Sequence, residues 1–322
     1  MRGAREGSGP KTGRQTFLEG REKDGQGEPV DPGVIVDRLK ELREARNAVI
    51  LAHNYQLPQI QDAADYVGDS LGLSRQAAAT GADVIVFCGV HFMAETASIL
   101  CPDKTVLLPA RNAGCPLAEK ADVPELLEMK AKYPGARVVA YVNSSARVKA
   151  ESDVCCTSGN AVKVVEAQEA RQVIFLPDRN LAHWVSKQTS KEIIPWPGFC
   201  ITHQRVGVED VSRAREAHPE ALVVVHPECR PEVVELADWV ASTDGILRYC
   251  REKNALKFII GTEMGLIHRL KKENPGKSFF LLSPGLVCPN MKKTSSLEMV
   301  VRALERMEPR ITVPEDVRLR AL

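Results

Sequence analysis

No apolar run in this chain reaches the roughly 20 residues that a membrane-spanning helix needs. No sign of charge dominates either: 43 Lys and Arg stand against 42 Asp and Glu, for a formal net charge of +1. The first absence speaks against a membrane location, and the second removes the electrostatic case for a nucleic-acid or membrane partner. The N-terminal stretch carries charges but no apolar h-region, so no signal peptide is expected. There are nine cysteines, an odd number, and no close Cys-x-x-Cys pair among them. A secreted disulfide framework is therefore not expected, and a cytoplasmic, reducing setting is. The close pairs of structural zinc sites and the compact cysteine run of a bacterial ferredoxin are likewise absent.

What is present is enough for a substantial core. At 322 residues the chain has room for two or three domains, and its 44% hydrophobic content is ordinary for a globular protein. Residues 1–32 mix alternating charges with glycines, and Phe17, Leu18 and Val30 are nearly all they offer for packing. Such a segment cannot offset its ordering entropy, which predicts a disordered, dispensable extension. Deleting residues 1–30 is expected to leave soluble yield and cofactor content unchanged; loss of soluble protein would refute that.

From Val34 onward, short apolar runs alternate with amphipathic stretches. Ile50-Leu-Ala, Val84 to Phe87, Thr105 to Leu108, Val138 to Ala140, Val154 to Cys156 and Val173 to Leu176 read as strands, with Asp62 to Thr80 mainly helical after the first. Glu192 to Ile194, Val223 to Val225, Trp239 to Ala241, Phe258 to Ile260 and Phe279 to Leu282 continue the series. Alternation of this kind predicts an α/β fold with parallel sheets, whose ligands gather at the C-terminal strand ends. Cys88, Cys155 and Cys156 lie in or beside these runs and read as small core residues.

The pattern occurs three times. Polar triplets end three strands: His53-Asn-Tyr55, Tyr141-Val142-Asn143 and His226-Pro227-Glu228. Seventeen residues after each triplet begins stands a hydroxyl, at Ser70, Ser158 and Thr243. A further strand begins 31 or 32 residues after the triplet, and a cysteine follows at 62, 59 and 62 residues, at Cys115, Cys200 and Cys288. Each of these cysteines follows a strand and a Pro- or Gly-containing turn, as in Ser283-Pro-Gly-Leu-Val-Cys288-Pro-Asn-Met-Lys-Lys293. This predicts three similar α/β/α domains in a pseudo-threefold arrangement, each aiming one triplet, one hydroxyl and one thiol at a shared axis. The expected division is 33–119, 120–205 and 206–288, with 289–322 packing back on the first repeat.

Taken singly, these features have plainer readings. A His-Pro-Glu at a strand end is more often a capped loop, Ser158 and Thr243 look like helix N-caps, and His268-Arg-Leu-Lys-Lys272 is a solvated helix face. Converging helix starts with hydroxyls, however, suit a substrate rich in carboxylate or phosphate. Lys292 and Lys293, so close to Cys288, are further candidates for an anion role. Three thiols favour zinc or an iron–sulfur cluster. In a cubane cluster three protein thiolates would leave one iron open as a Lewis acid.

The words Ile50-Leu-Ala-His-Asn-Tyr-Gln56, Tyr66-Val-Gly-Asp-Ser70, Phe92-Met-Ala-Glu95, Gly114-Cys-Pro116, Tyr141-Val-Asn-Ser144 and Cys156-Thr-Ser158 closely resemble the quinolinate synthase A family of de novo NAD biosynthesis. So do Pro177-Asp-Arg-Asn180, His226-Pro-Glu-Cys229, Ile260-Gly-Thr-Glu263 and Asn290-Met-Lys-Lys293. The likeness runs from about residue 34 to 310. It implies condensation of iminoaspartate with dihydroxyacetone phosphate to quinolinate, phosphate and two waters. It implies three α/β domains around a [4Fe–4S] cluster held by Cys115, Cys200 and Cys288, with one iron open. It places substrate on His53, Ser70, Tyr141, Val142, Asn143, Ser158, His226, Pro227, Glu228 and Thr243. It also implies an L-aspartate oxidase or dehydrogenase as supplier of iminoaspartate. For the chemistry, Glu228 is expected as a general base, Tyr55 as a proton donor or relay, and His226 and His53 as orienting groups or acids.

Two departures stand out. Some members carry extra cysteines after the third ligand, where this chain has Met291 and Thr294, and Asp244 follows Thr243 where a less acidic residue is expected. Readings from other classes are an electron-transfer iron–sulfur protein and a non-catalytic sensor of pyridine dicarboxylates. The open coordination and the polar triplets count against the first, and an activity assay separates the enzyme from both.

Overall fold

A computed structural model describes residues 32–322, so the expected extension lies, but for its last residue, outside the described residues. The first sheet contains β1 (Ala48–His53), β2 (Tyr66–Gly68), β3 (Val84–Cys88) and β4 (Thr105–Leu107). The second contains β5 (Arg137–Tyr141), β6 (Val154–Cys156), β7 (Gln172–Leu176) and β8 (Glu192–Pro195). The third contains β9 (Leu222–Val225), β10 (Trp239–Val240), β11 (Lys257–Gly261) and β12 (Ser278–Leu281). All three share one topology: β2-β1-β3-β4, β6-β5-β7-β8 and β10-β9-β11-β12. The strand pairs in each are parallel.

Burial on both faces explains why these strands read as continuous apolar runs. Val49, Leu51, Ile85 and Phe87 join one core, while Ile50, Ala52, Val84 and Val86 point the other way into a second. Cys88 and Cys156 are buried in their strands, whereas Cys155 is only half-buried. In each sheet the chain leaves the first strand in one direction and later crosses back past it. The resulting switch point lies beyond the C-terminal ends of β1, β5 and β9, where a crevice opens. The three polar triplets stand there.

The stretch Asp62 to Thr80 is mainly helical, as expected, but β2 interrupts it. Helix Pro58–Ala63 ends before β2, and a second helix, Ser70–Ala79, follows it. Asp65 forces the extended path: its amide donates to Ile50 O at 2.9 Å and its Oδ2 accepts from Ile50 N at 2.8 Å. Asp153 makes the same pair of bonds with Val138, and Asp238 with Val223. An aspartate therefore clips the second strand to the first in every unit.

After the third unit the chain returns to the first. Val300 and Leu304 of helix Leu297–Arg306 pack with Leu39, Leu42 and Ile50. Leu108 N donates to Pro309 O and Ile311 N to Val106 O, which extends the edge at β4. Val317 of helix Glu315–Ala321 packs with Ile99, Ala146 and Ala150, tying the first unit to the second. Among the described residues no helix is long and apolar enough to cross a membrane.

Candidate active site

The strand ends of the three sheets meet around a single cavity. The first unit contributes His53, Tyr55, Ser70 and Cys115 to its lining, and the second contributes Tyr141, Val142, Asn143, Ser158 and Cys200. His226, Glu228, Thr243 and Cys288 come from the third. Of the expected site residues only Pro227, which is buried, does not line it.

The two triplet histidines are held alike. His53 Nδ1 accepts from Tyr55 N at 3.1 Å, and His226 Nδ1 accepts from Glu228 N at 3.2 Å. An amide can only donate, so each Nδ1 is unprotonated and the proton sits on Nε2. His226 Nε2 donates to Ser158 Oγ at 3.1 Å. Burial, reinforced by Lys292, lowers the His53 pKa to about 3, and burial lowers that of His226 to about 4. Both are neutral Nε2–H donors at neutral pH. As neutral imidazoles they can offer Nε2–H hydrogen bonds but have no proton to release as imidazolium acids at neutral pH. In the unfolded chain both protonate near the ordinary value of about 6.5, so between that pH and about 4 the unfolded state binds more protons. Stability should therefore fall as pH drops through this window. Denaturant midpoints should decline there, and less steeply in the His53→Gln/His226→Gln double variant.

Glu228 sits at the centre of a buried network. Its Oε1 accepts from Tyr141 Oη at 2.8 Å and its Oε2 lies 2.8 Å from His203 Nδ1. Burial alone would push this carboxyl up, but His226, His203 and the Tyr141 hydroxyl outweigh burial and hold it well below the usual carboxylate range. On the far side of the imidazole, His203 Nε2 is 3.0 Å from Thr262 Oγ1, which is 2.5 Å from Tyr55 Oη. With Nδ1–H donating to Glu228, one consistent direction runs Tyr55 to Thr262 to His203 to Glu228. Burial and the Glu228 charge raise both tyrosines well above their ordinary value, so they stay protonated.

The three predicted thiols are free and half-buried. Burial pushes Cys115 up to about 12 and raises Cys200 and Cys288 as well, and Cys115 also feels Cys288 while Cys200 feels Cys115. Opposing this, the amides of Leu117 and Ala118 reach Cys115, that of His203 reaches Cys200, and those of Asn290 and Met291 reach Cys288. Backbone N–H groups just downstream thus face each sulfur, whereas Cys229 donates from Sγ to Gly261 O and Cys156 is packed among apolar side chains. Three neighbouring thiols that are costly to ionise alone, yet supplied with amide donors, fit a cationic metal group. Cys200, His203 and Glu228 also bring one ligand atom each within 4.8 Å of one another, so they could hold a metal ion.

Several contributors escaped the sequence reading. Asp178 and Glu263 each stand two residues past the third strand of their unit. Asp178 Oδ2 accepts from Cys200 N at 3.0 Å and Glu263 Oε1 accepts from Cys288 N at 3.1 Å, which fixes both thiol turns. Their shared register was the available signal. His203, three residues after Cys200, had none. The plainer reading of Ser158 and Thr243 as helix N-caps does not hold: Asp69 and Ser242 cap the helices that begin at Ser70 and Thr243, and Ser158 lies in a turn before helix Ala161–Glu166. Ser70, Ser158 and Thr243 all line the cavity. Asp244 instead faces Asn54, 3.4 Å away, and burial together with Asp69 pushes it up to about 6. Lys292 bonds Tyr55 O and pairs with Glu263 at 3.2 Å. Met291 and Thr294 are buried, with Met291 in the cavity lining, so no disulfide forms there.

The first and third units also touch through backbone. A Cβ on Gly265 would stand 2.6–2.7 Å from Tyr55 Cα, C and O. Gly265→Ala should therefore cost about 1–3 kcal/mol of stability and displace Tyr55. Denaturant unfolding and a turnover assay would check both effects.

Three parallel α/β units closing on one buried cavity that holds an ionised carboxylate, two neutral imidazoles and three free thiols define an α/β enzyme with a metal-capable active site. The model of the family described as quinolinate synthetase A protein matches residues 37–322. The chain is 58% identical over 289 residues to a quinolinate synthase of Alkaliphilus metalliredigens, covering 89% of this chain and 95% of that protein. It is 57% identical over 287 residues to that of Geobacter metallireducens, covering 89% and 94%, and 56% identical over 291 residues to that of Methanoregula boonei, covering 90% and 96%. The chain belongs to the quinolinate synthetase A protein family.

Proposed function

We propose that this cavity carries out the quinolinate synthase reaction, joining iminoaspartate to dihydroxyacetone phosphate with release of phosphate and two waters. The observation that carries the reading is that the triplets, hydroxyls and thiols of all three units line one cavity. On this reading the units span 33–119, 120–205 and 206–288, with 289–322 returned to the first. Cys115, Cys200 and Cys288 hold a [4Fe–4S] cluster, and their forward-facing amides support that assignment. When bound, the cluster supplies an open iron as a Lewis acid for an oxygen or nitrogen of substrate.

The chain's own groups do the rest. His53 Nε2–H, His226 Nε2–H, Asn143 and the Ser70, Ser158 and Thr243 hydroxyls hold the anionic and carbonyl oxygens. The starts of helices Ser70–Ala79 and Thr243–Glu252 add their dipoles. Glu228, kept ionised in the cavity, takes the proton that each elimination of water requires. Tyr55 Oη, which stays protonated, donates to a leaving oxygen, and the proton taken by Glu228 passes to that oxygen so that it departs as water. Iminoaspartate is unstable in water, so an L-aspartate oxidase or dehydrogenase must supply it, and the cytoplasm suits both the pathway and nine free thiols.

The test is quinolinate formation by anaerobically reconstituted protein given dihydroxyacetone phosphate and iminoaspartate generated in situ. No product from protein with full iron and sulfide content would refute the reading. A second reading is favoured by the Cys200, His203 and Glu228 cluster: one metal ion in place of the iron–sulfur group. Zinc without inorganic sulfide in the active protein would establish it instead.

A further inference from the structure

A cavity meant for a dicarboxylate and a phosphate ester needs positive charge, yet among the described residues no arginine or lysine lines it. Hydroxyls and helix starts offer partial charges only. Behind the wall, Lys292 is neutralised by Glu263. Lys149 is not neutralised in this way. It is 4% exposed, its Nζ donates to Ser144 O at 2.6 Å, and it lies 5.4 Å from the ring centroid of Phe92, a wall residue of the cavity. Ser144 follows the second triplet and donates from Oγ to Tyr141 O at 2.9 Å. Among the described residues no carboxylate comes within ion-pair distance of Lys149. The groups whose charge reaches it are first Cys155, then Glu95 and Cys115, and Glu95 is turned to Ala146 N at 3.0 Å and toward His91 at 3.8 Å. Burial lowers the ammonium pKa to about 8, which leaves it charged at neutral pH. A buried charge without a partner is costly, and a chain that keeps one gains when an anion arrives nearby. In a medium of low dielectric its field acts across the wall.

We propose that Lys149 is the fixed positive charge through which the cavity selects anionic substrates, acting as a positioning residue behind Phe92 and not by contact. The proposal rests on the reading of the cavity as a dicarboxylate site. Lys149→Gln keeps a donor for Ser144 O and removes the charge. Lys149→Met, which keeps the side chain's length against Phe92, supplies the same measurement should Gln disturb folding. Calorimetric titration of the anaerobically reconstituted protein at pH 7 would use pyridine-2,3-dicarboxylate, pyridine-2-carboxylate and the uncharged pyridine-2-carboxamide as probes. The expected result is affinity lowered about tenfold for the dianion and about threefold for the monoanion, and unchanged for the amide. A loss equal for all three probes would mark a structural role and overturn the proposal. So would no loss at all, with wild-type dicarboxylate binding intact. A wild-type protein that takes no dicarboxylate would overturn the reading of the cavity, and the proposal with it.

Discussion

Alanine at Cys115, Cys200 or Cys288 is expected to abolish the iron and sulfide bound after anaerobic reconstitution, while alanine at Cys156 or Cys229 leaves both unchanged. The nine thiols fall into two environments. Six sit in or beside strands and helices. Cys229 donates its proton to Gly261 O, and Cys156 packs with Val139, Val165 and Phe175. The other three follow the fourth strand of their sheets, line one cavity and receive amides from residues just downstream. Two of their turns are anchored further by Asp178 and Glu263. On the proposed reading, loss of one thiolate removes one of the three ligands of the cluster. Iron and sulfide analysis with the visible absorption spectrum would read the result. Equal loss from Cys156→Ala or Cys229→Ala would sink the assignment.

The second large effect is expected at Glu228. Glu228→Gln preserves shape and the acceptor for Tyr141 but removes the carboxylate on which the Tyr55–Thr262–His203 line ends. Turnover should fall by about 10²-fold or more, the scale of lost general acid–base catalysis, with iron and sulfide content intact. The pairing of both readouts decides the matter. Depletion of the cluster would make Glu228 a structural residue, because a carboxylate oxygen of Glu228 also lies within 4.8 Å of the Cys200 sulfur in the same ligand-capable group. Turnover like wild type would make it a bystander and leave the cavity's ionised carboxylate without a task.

Periodicity was strong enough to be read directly. Strand after strand is buried on both faces, so β3, β7 and β11 appear as unbroken apolar runs, and the equal spacing of triplet, hydroxyl and cysteine disclosed three units. The strand β2 was hidden because Tyr66–Gly68 is short, half-exposed and flanked by helix formers. It is extended only because Asp65 bonds both the amide and the carbonyl of Ile50. The sequence did hold a signal for it, since Asp65, Asp153 and Asp238 keep the same register. Capping at Thr243 was also undecided, because it follows Ser242, a second residue able to cap, and one-residue shifts lie below what spacing resolves.

By itself the sequence determined the α/β class, the threefold repeat and the residue types each unit presents, because these follow from local apolar periodicity and register. Only the tertiary structure decided how those residues act on one another. His203 reaches Glu228 of the next unit, Thr262 bridges His203 to Tyr55 of the first unit, and Lys149 stands behind Phe92 with no carboxylate within ion-pair distance among the described residues. Each of these depends on how three separately folded sheets meet. Charge state, tautomer and proton direction are set by burial and by partners that are far apart in the chain and are brought together only by folding.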